Sequence, residues 1–171
     1  MKFFDVVKKR RSIRNYLPAP IAEDELRRIL GAANAAPSAG NLQSYEIYVV
    51  MEKRRRESLA RAAREQLFVA GAPVSLVFCT HAARSDERYG KRAGLYAVQD
   101  ATIACTFAML AATGLGLASV WVGSFEPEDV RRVIRAPPGI VPVAILPVGR
   151  AASVPDAPAR RELEDLVHWE G

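Results

Sequence analysis

The chain has 171 residues, of which 50% are hydrophobic and 25% are charged, as expected for one globular domain with a sizeable core. Its net charge of +5 suits an anionic ligand and suits RNA or DNA equally well. The basic N-terminus excludes a signal peptide, and the longest apolar segment, 101–112, is shorter than the roughly 20 residues of a membrane span, so we expect one soluble domain over residues 1–171 in the cytoplasm.

The N-terminal half is predicted to place helices before and between strands. Hydrophobic periodicity indicates the helices, and runs of β-branched and aromatic residues indicate the strands. Pro20 lies where helices favour their start, and acidic residues follow in the first turn. The predicted helices cover residues 2–10, 22–36 and 52–68, and the predicted strands cover 45–51 and 74–80. The basic run Arg54 to Arg56 opens the third helix and is expected to be solvated.

The C-terminal half is predicted to begin with a loop or broken helix over 82–92, followed by the longest helix, 93–113. This helix is apolar nearly all round, so we expect it in the middle of the fold or at a subunit interface, with Gly114 as its left-handed terminating residue. The remaining predicted elements are a strand over 117–123, a helix over 127–134, a strand over 141–148 and an extended tail over 149–171 that ends in one helical turn.

The last predicted strand and the tail carry residues that indicate where each of them lies in the fold. The prolines of the strand 141–148 indicate an edge strand or an irregular end. The tail carries apolar side chains that need a surface to bury against, for which a partner subunit is one candidate. These side chains are Leu163, Leu166, Val167 and Trp169. The alternation of strands with helices predicts a sheet with helices on its faces.

The run KKRRSIRNY places three guanidinium groups, Arg10, Arg11 and Arg14, around the hydroxyl of Ser12. Arginine presents a planar and permanently charged array of donors that can hold phosphate oxygens two at a time. A solvated face or a nucleic-acid patch would have the same composition. The run therefore predicts an anion site only in combination with other features.

The segment 37–43 supplies polar groups where a helix passes into a strand. Ser38, Asn41 and Gln43 offer donors and acceptors together, which suits the edge of a heteroaromatic ring or a sugar chain better than a bare phosphate. The alternative interpretation is an ordinary turn at a helix exit.

Glycines mark a third segment, from Gly114 and Gly116 to Gly123 and Ser124. The spacing and the helix-to-strand order do not match a dinucleotide-binding fingerprint. Gly123 would permit a flat ring to lie against the backbone, and Arg160 and Arg161 return positive charge in the tail.

The sequence contains no evident catalytic acid, base or nucleophile. His81 and His168 lack the spacing of metal ligands, and Cys79 and Cys105 lie in apolar runs, so no metal site is predicted. An anion clamp with ring-edge donors and no catalytic side chain is typical of a protein whose cofactor carries the chemistry.

At this point the chain resembles the nitroreductase family of flavin enzymes over nearly its full length. The family's RRS-x-R-x-[FY] motif is matched by residues 10–16, and its GLG-x-x-x-x-W-[IV]-G-x-F motif by 114–125. Its PS-x-x-N-x-Q-x-W loop is matched at Pro37, Ser38, Asn41 and Gln43, and its R-x-x-LEE-[IL]-VH ending by 160–168. Four motifs in the family's order make this resemblance specific.

The resemblance implies an α+β fold with a central, mostly antiparallel sheet flanked by helices, in an intertwined homodimer whose C-terminal extension, 150–171, packs on the partner subunit. It implies bound FMN, reduced by NADH or NADPH, which then passes electrons to a small electron-poor acceptor by a ping-pong mechanism. Nucleic acid, membrane and metal are not implied as partners.

The same resemblance assigns roles by motif position. Arg10, Arg11, Ser12 and Arg14 would hold the phosphate, the ribityl chain and the pyrimidine edge of the flavin, with Arg160 or Arg161 completing the phosphate site. The loop residues would come from the other subunit, and Gly123 and Ser124 would lie near the ring. The loop residues in question are Pro37, Ser38, Asn41 and Gln43.

Two departures from the family pattern concern the substrate pocket. Ser44 and Tyr45 replace a Pro-Trp pair, which is expected to change the pocket wall, and the segment 82–92 lacks the extra helices that cover the site in many members.

A specialised flavoprotein role, such as flavin destruction, reductive dehalogenation or redox sensing, therefore stays open beside the oxidoreductase hypothesis. A basic nucleic-acid module is the remaining alternative, although Tyr16 is the only aromatic residue beside the first basic cluster.

Overall fold

The computed structural model describes all residues of the chain, 1–171. Its helices are α1 (Phe3–Lys9), α2 (Glu23–Asn34), α3 (Lys53–Ala62), α4 (Phe68–Gly71), α5 (Ala83–Tyr89), α6 (Ala93–Gly114) and α7 (Pro127–Ile134). Its strands are β1 (Tyr45–Val50), β2 (Val74–Thr80), β3 (Ala118–Ser119) and β4 (Val141–Gly149). Short 3₁₀ turns cover Ala39–Asn41, Gly90–Arg92 and Leu163–Asp165.

The strands form one sheet in the order β1-β2-β4-β3, and every neighbouring pair is antiparallel. Tyr45 lies opposite Thr80 in the β1–β2 ladder, and Leu76 lies opposite Leu146 in the β2–β4 ladder. One further bridge, between Ser12 and Ser119, ties the basic segment after α1 to the edge strand β3. The predicted antiparallel sheet flanked by helices is confirmed.

Helices cover both faces of the sheet, so the strand β2 is buried along its whole length. Successive side chains of a strand point to opposite faces. Leu76 and Phe78 accordingly belong to the core formed with α2 and α6, while Val77 belongs to the second core, which contains Leu59 and Val130 from α3 and α7. This two-sided burial explains why the sequence of β2 is largely apolar rather than alternating, with Ser75 and Thr80 as its polar residues.

The helix α6 is the core helix of the first layer. The stretch Ala83–Gly114, which comprises α5, a 3₁₀ turn and α6, contains an 18-residue window with a mean hydropathy of 1.4, which is enough by length and composition to cross a membrane. One face of α6, however, packs against α2, β2 and β4. Fully buried alanines at helical spacing line that face, namely Ala97, Ala101, Ala104, Ala108 and Ala112.

The end of α6 corrects the predicted position of the helix terminator. Gly114 is still helical, and the left-handed residue is Gly116, with φ 78°. The Leu117 N–H donates to the Ala112 carbonyl at 2.8 Å and the Gly116 N–H to the Thr113 carbonyl at 3.0 Å, which is the hydrogen-bond pattern of a Schellman motif. The prediction of Gly114 as the left-handed terminator is therefore wrong by two residues.

The predicted helix 52–68 is wrong in its second half, because it breaks after Ala62. Arg64 and Glu65 both have left-handed backbones, with φ 56° and 58°, before α4 begins at Phe68. The expectation that the basic run of α3 is solvated is also wrong for Arg56. Its half-buried guanidinium donates to the carbonyls of Ala70 and Ala72 and joins α3 to the end of α4.

The strand predicted over 117–123 is regular only at β3, with one further bridge between Val122 and Ile145. The strand β4 is not an edge strand, because it pairs with β2 on one side and with β3 on the other. The irregularity indicated by its prolines is present: Pro142 follows a register shift in the β2–β4 ladder. Pro147 lies between the two separated contacts of β4 with 118–122, where no partner requires its missing N–H.

The tail is held at its start and exposed beyond it. The Ala152 N–H donates to the Asn15 carbonyl at 2.9 Å, and Tyr16 bridges to Ala151. Beyond that point the large apolar side chains Leu163, Leu166 and Trp169 are exposed in the single chain. The predicted packing of this tail on a partner subunit stays a prediction.

Candidate functional site

A cleft of about 680 Å³ lies between the end of α1 and the tail, and its lining is mostly polar. Four of the predicted site residues reach it from the segment that follows α1, namely Arg10, Arg11, Ser12 and Arg14. The tail supplies the other wall, from Pro155 to Arg160. The structure therefore brings the two basic ends of the sequence to one site.

The cleft is lined by five basic residues and by one acidic residue, Asp156, so its net charge is positive. Arg10, Arg14 and Arg160 form no salt bridge, although many arginines elsewhere in the chain do. Burial lowers the pKa of Arg10, and the charges of Arg160 and Arg11 lower it further. Cations that lie close together without an anion between them repel one another, and a phosphate group would relieve this repulsion.

The neighbouring arginines have other partners. Arg11 lines the cleft, but its Nη1 donates to the carbonyls of Lys8 and Arg10 at 2.7 and 2.9 Å, which ties the side chain to the end of α1. Arg161 does not line the cleft, and its Nη2 donates to the Asp165 carbonyl at 3.3 Å. Of the two tail arginines, the structure thus places Arg160 beside the cluster.

The break between α3 and α4 shapes a second part of the site. The guanidinium carbon of Arg14 lies 5.7 Å from the centre of the Phe68 ring. Gln66, two residues earlier, donates from Nε2 to the Ser124 carbonyl at 2.9 Å. Both Arg14 and Ser124 therefore lie beside the segment 66–68, and Gly123 and Ser124 are exposed there.

The predicted polar loop 37–44 has a defined internal structure. Ser38 Oγ accepts hydrogen bonds from both the backbone N–H and the Nε2 of Gln43, at 3.0 and 2.9 Å. Gln43 Nε2 also donates to Asn41 Oδ1 at 2.7 Å. The three predicted side chains are thus brought together in one network, and Pro37 lines a neighbouring cleft with Ser38.

Within one protomer this loop and the arginine cluster line separate clefts. The structure does not bring Ser38, Asn41 and Gln43 to Arg10. Nor do Ser44 and Tyr45 form a pocket wall as expected: both are buried, and the Tyr45 hydroxyl donates to the Ala33 carbonyl at 3.0 Å in the core.

Two residues that contact the loop were not identified from the sequence. Asp100 of α6 and Arg84 of α5 both form hydrogen bonds to its backbone. The available signal was that Asp100 is the only charged residue between Ala93 and Gly114. A carboxylate inside a buried apolar helix requires hydrogen-bond partners.

The cysteines and histidines show no catalytic arrangement. Burial raises the pKa of Cys79 to about 12, and burial also raises the pKa of Cys105, so both are thiols in the core. His81 Nδ1 lies 3.0 Å from Glu46 Oε1 at the sheet edge. His168 is exposed in the tail.

Comparisons with known proteins identify the family of this chain. The model of the nitroreductase family matches residues 7–78 and 60–150. An NADH dehydrogenase of Thermus thermophilus is 32% identical, the match covering 94% of this chain and 92% of that protein. An FMN reductase [NAD(P)H] of Bacillus subtilis is 29% identical over 94% of this chain and 70% of its own length.

A solved structure shows the same fold. The NADPH:FMN oxidoreductase of Vibrio harveyi, complexed with NAD⁺, superimposes with a TM-score of 0.90 at 25% identity, covering 99% of this chain and 77% of that one. The match extends beyond the family-model boundaries into the tail that carries Arg160.

Proposed function

Since the chain belongs to the nitroreductase family and is an NAD(P)H-dependent flavin oxidoreductase, we propose that it binds FMN and transfers electrons from NADH or NADPH to a small electron-poor acceptor such as a nitroaromatic or a quinone. When bound, FMN would supply the redox chemistry that couples oxidation of the nicotinamide donor to reduction of the acceptor. The protein's own residues bind and orient the ring and leave one face accessible. We place this reaction in the cytoplasm.

The observation that carries the proposal is the unpaired arginine cluster. Arg10, Arg14 and Arg160 would hold the phosphate and the polar edge of the flavin, with Ser12 as an additional hydroxyl partner. A guanidinium beside the ring would also favour negative charge there, which assists reduction. Their lack of carboxylate partners and the lowered pKa of Arg10 support this assignment.

A homodimer completes the proposed site. The loop with Pro37, Ser38, Asn41 and Gln43 would be contributed by the partner subunit, because within one protomer it lines a different cleft from the arginines. The exposed Leu163, Leu166 and Trp169 of the tail give the partner an apolar surface to cover. Gly123 and Ser124 would lie along the ring on the side of Arg14.

The visible spectrum of the purified protein tests this function. We expect flavin absorption that bleaches when NADH or NADPH is added without oxygen and returns when a quinone or a nitroaromatic compound is supplied. Comparing the two donors identifies the preferred nicotinamide. A colourless protein that neither takes up FMN nor bleaches after reconstitution would contradict the proposal.

A further inference from the structure

The loop 37–44 adopts a backbone conformation that its own residues do not favour. Gly40, Asn41 and Gln43 have positive φ angles of 56°, 58° and 45°. Glycine and asparagine tolerate this region, but glutamine does so rarely, and such residues persist where the surroundings determine the backbone. The contacts that hold the loop therefore decide how it presents its side chains.

The first contact comes from α6. Asp100 is 2% exposed, and its two carboxylate oxygens accept one hydrogen bond each: Oδ1 from the Ala39 N–H at 2.9 Å and Oδ2 from the Ser44 N–H at 3.2 Å. The carboxylate thereby joins the beginning and the end of the turn. Asparagine has the same shape but only one acceptor oxygen, and its amide would point a donor at an N–H.

The second contact comes from α5, which donates hydrogen bonds to carbonyl groups at the end of the loop. Arg84 Nη1 donates to the carbonyls of Gln43 and Tyr45, both at 2.9 Å, and the Arg84 guanidinium also pairs with Glu46. The His81 N–H donates to the Ser44 carbonyl at 2.8 Å. The N–H groups of Ala39 and Ser44 are thus bonded from α6, and the carbonyls of Gln43 and Ser44 are bonded from α5 and from the residue after β2.

We propose that Asp100 and Arg84 are positioning residues of the flavin site, which hold the loop 37–44 in the conformation that presents Ser38, Asn41 and Gln43 to the ribityl chain and ring. This inference rests on the proposed function, because it assigns the loop to the flavin. The two residues act through the loop and do not contact the cofactor themselves. The short segment 82–92 thereby acquires a role, since it carries Arg84.

Binding of FMN and of riboflavin to the full-length apoprotein, followed by flavin fluorescence at 25 °C, tests the proposal. Riboflavin lacks the phosphate, so it reports the ribityl and ring contacts alone. Asp100→Asn should weaken both ligands by the same factor, about 10- to 100-fold, the effect of losing one charge-assisted hydrogen bond and leaving a donor unpaired. Asp86→Asn, an exposed aspartate on α5, is the matched control and should change neither affinity.

A purely structural role for Asp100 would lower the unfolding temperature of the apoprotein and leave both dissociation constants unchanged, and that result would overturn the proposal. A loss confined to FMN would also overturn it, because the effect would then arise at the phosphate. If the wild-type protein binds neither ligand, the proposed function itself fails, and this inference fails with it.

Arg84→Ala provides an independent approach if Asp100→Asn does not fold. It removes the carbonyl contacts from the opposite side of the loop and should weaken FMN and riboflavin equally, by about tenfold. Arg54→Ala removes the same charge from an exposed position on α3 and serves as its control. Wild-type affinities in Arg84→Ala would refute the role assigned to this residue.

Discussion

Replacing Arg10 by alanine should separate cofactor binding from folding. In the apoprotein Arg10 has no salt-bridge partner and is surrounded by the charges of Arg11 and Arg160, which lower its pKa together with burial. Its removal relieves repulsion and deletes no intramolecular ion pair. We therefore expect the free energy of unfolding of the apoprotein to stay within about 0.5 kcal/mol of wild type.

The expected effect on FMN binding is much larger. Two charge-assisted hydrogen bonds from a guanidinium to a phosphate contribute about 1.5 kcal/mol each at the low end of their range. Their loss amounts to about 3 kcal/mol, which corresponds to roughly a 150-fold increase in the dissociation constant. Arg10→Lys keeps the positive charge but loses the planar guanidinium group. Its dissociation constant for FMN should therefore lie between those of the wild type and Arg10→Ala.

Fluorescence titration of the apoprotein with FMN measures the affinity, and urea unfolding without ligand measures the stability. Arg54→Ala is the charge-matched control and should bind FMN as the wild type does. Riboflavin affinity should be unchanged in Arg10→Ala, because that ligand has no phosphate. Wild-type FMN affinity in Arg10→Ala, or a loss that riboflavin shares fully, would refute the assignment of this residue to the phosphate.

Three further predictions address the fold and its charges. Gly149→Ala would place a Cβ 2.6 Å from the ring of Pro73 and should destabilise the protein by about 1–3 kcal/mol in urea unfolding. Gly31→Ala, on an open helix face, should not destabilise, and equal effects of the two would contradict the packing argument. Glu25 has a lowered pKa, caused first by its backbone hydrogen bond at the start of α2, so its contribution is present above its usual pKa of 4.5 and is lost as the pH falls through the folded-state pKa. Glu25→Gln should therefore lower Tm at pH 7, and the difference in Tm between this variant and the wild type should become smaller in acid. A difference in Tm that does not depend on pH would contradict this role of the Glu25 carboxylate. Inorganic phosphate should raise Tm of the wild-type apoprotein more than that of Arg160→Ala, and equal increments would exclude Arg160 from the anion site.

The sequence predicted most helices and strands because their signals are local. The strand β2 is a largely apolar run that ends at a polar residue, and α2 has an apolar stripe preceded by Pro20. Such patterns need only the neighbouring residues to be interpreted. The motif of arginines after α1 was likewise visible, since Arg10 and Arg14 are only four positions apart in the chain.

The elements that were predicted wrongly depend on distant contacts. The helix 52–68 has continuous helical periodicity, yet it breaks because Gln66 is required at the Ser124 carbonyl and Arg56 at the carbonyls that close α4. The strand 117–123 has β propensity throughout, but only part of it has a partner in β4. Propensity indicates what a segment favours, whereas pairing depends on what lies beside it.

The candidate site also has one part that the sequence predicted and another part that depends on distant contacts. Residue type and motif order alone predicted that the basic cluster, the polar loop and the tail bind a ligand, because arginine, serine, asparagine and glutamine have the same donors and acceptors wherever they lie. Only the tertiary structure decided that Arg160 rather than Arg161 joins Arg10, and that Asp100 and Arg84 hold the loop. The residues that Arg160, Asp100 and Arg84 approach lie between 39 and 150 positions away in the sequence. Side chains of the same type are equivalent in the sequence, and only the folded chain shows which of them lies close enough to make the contact.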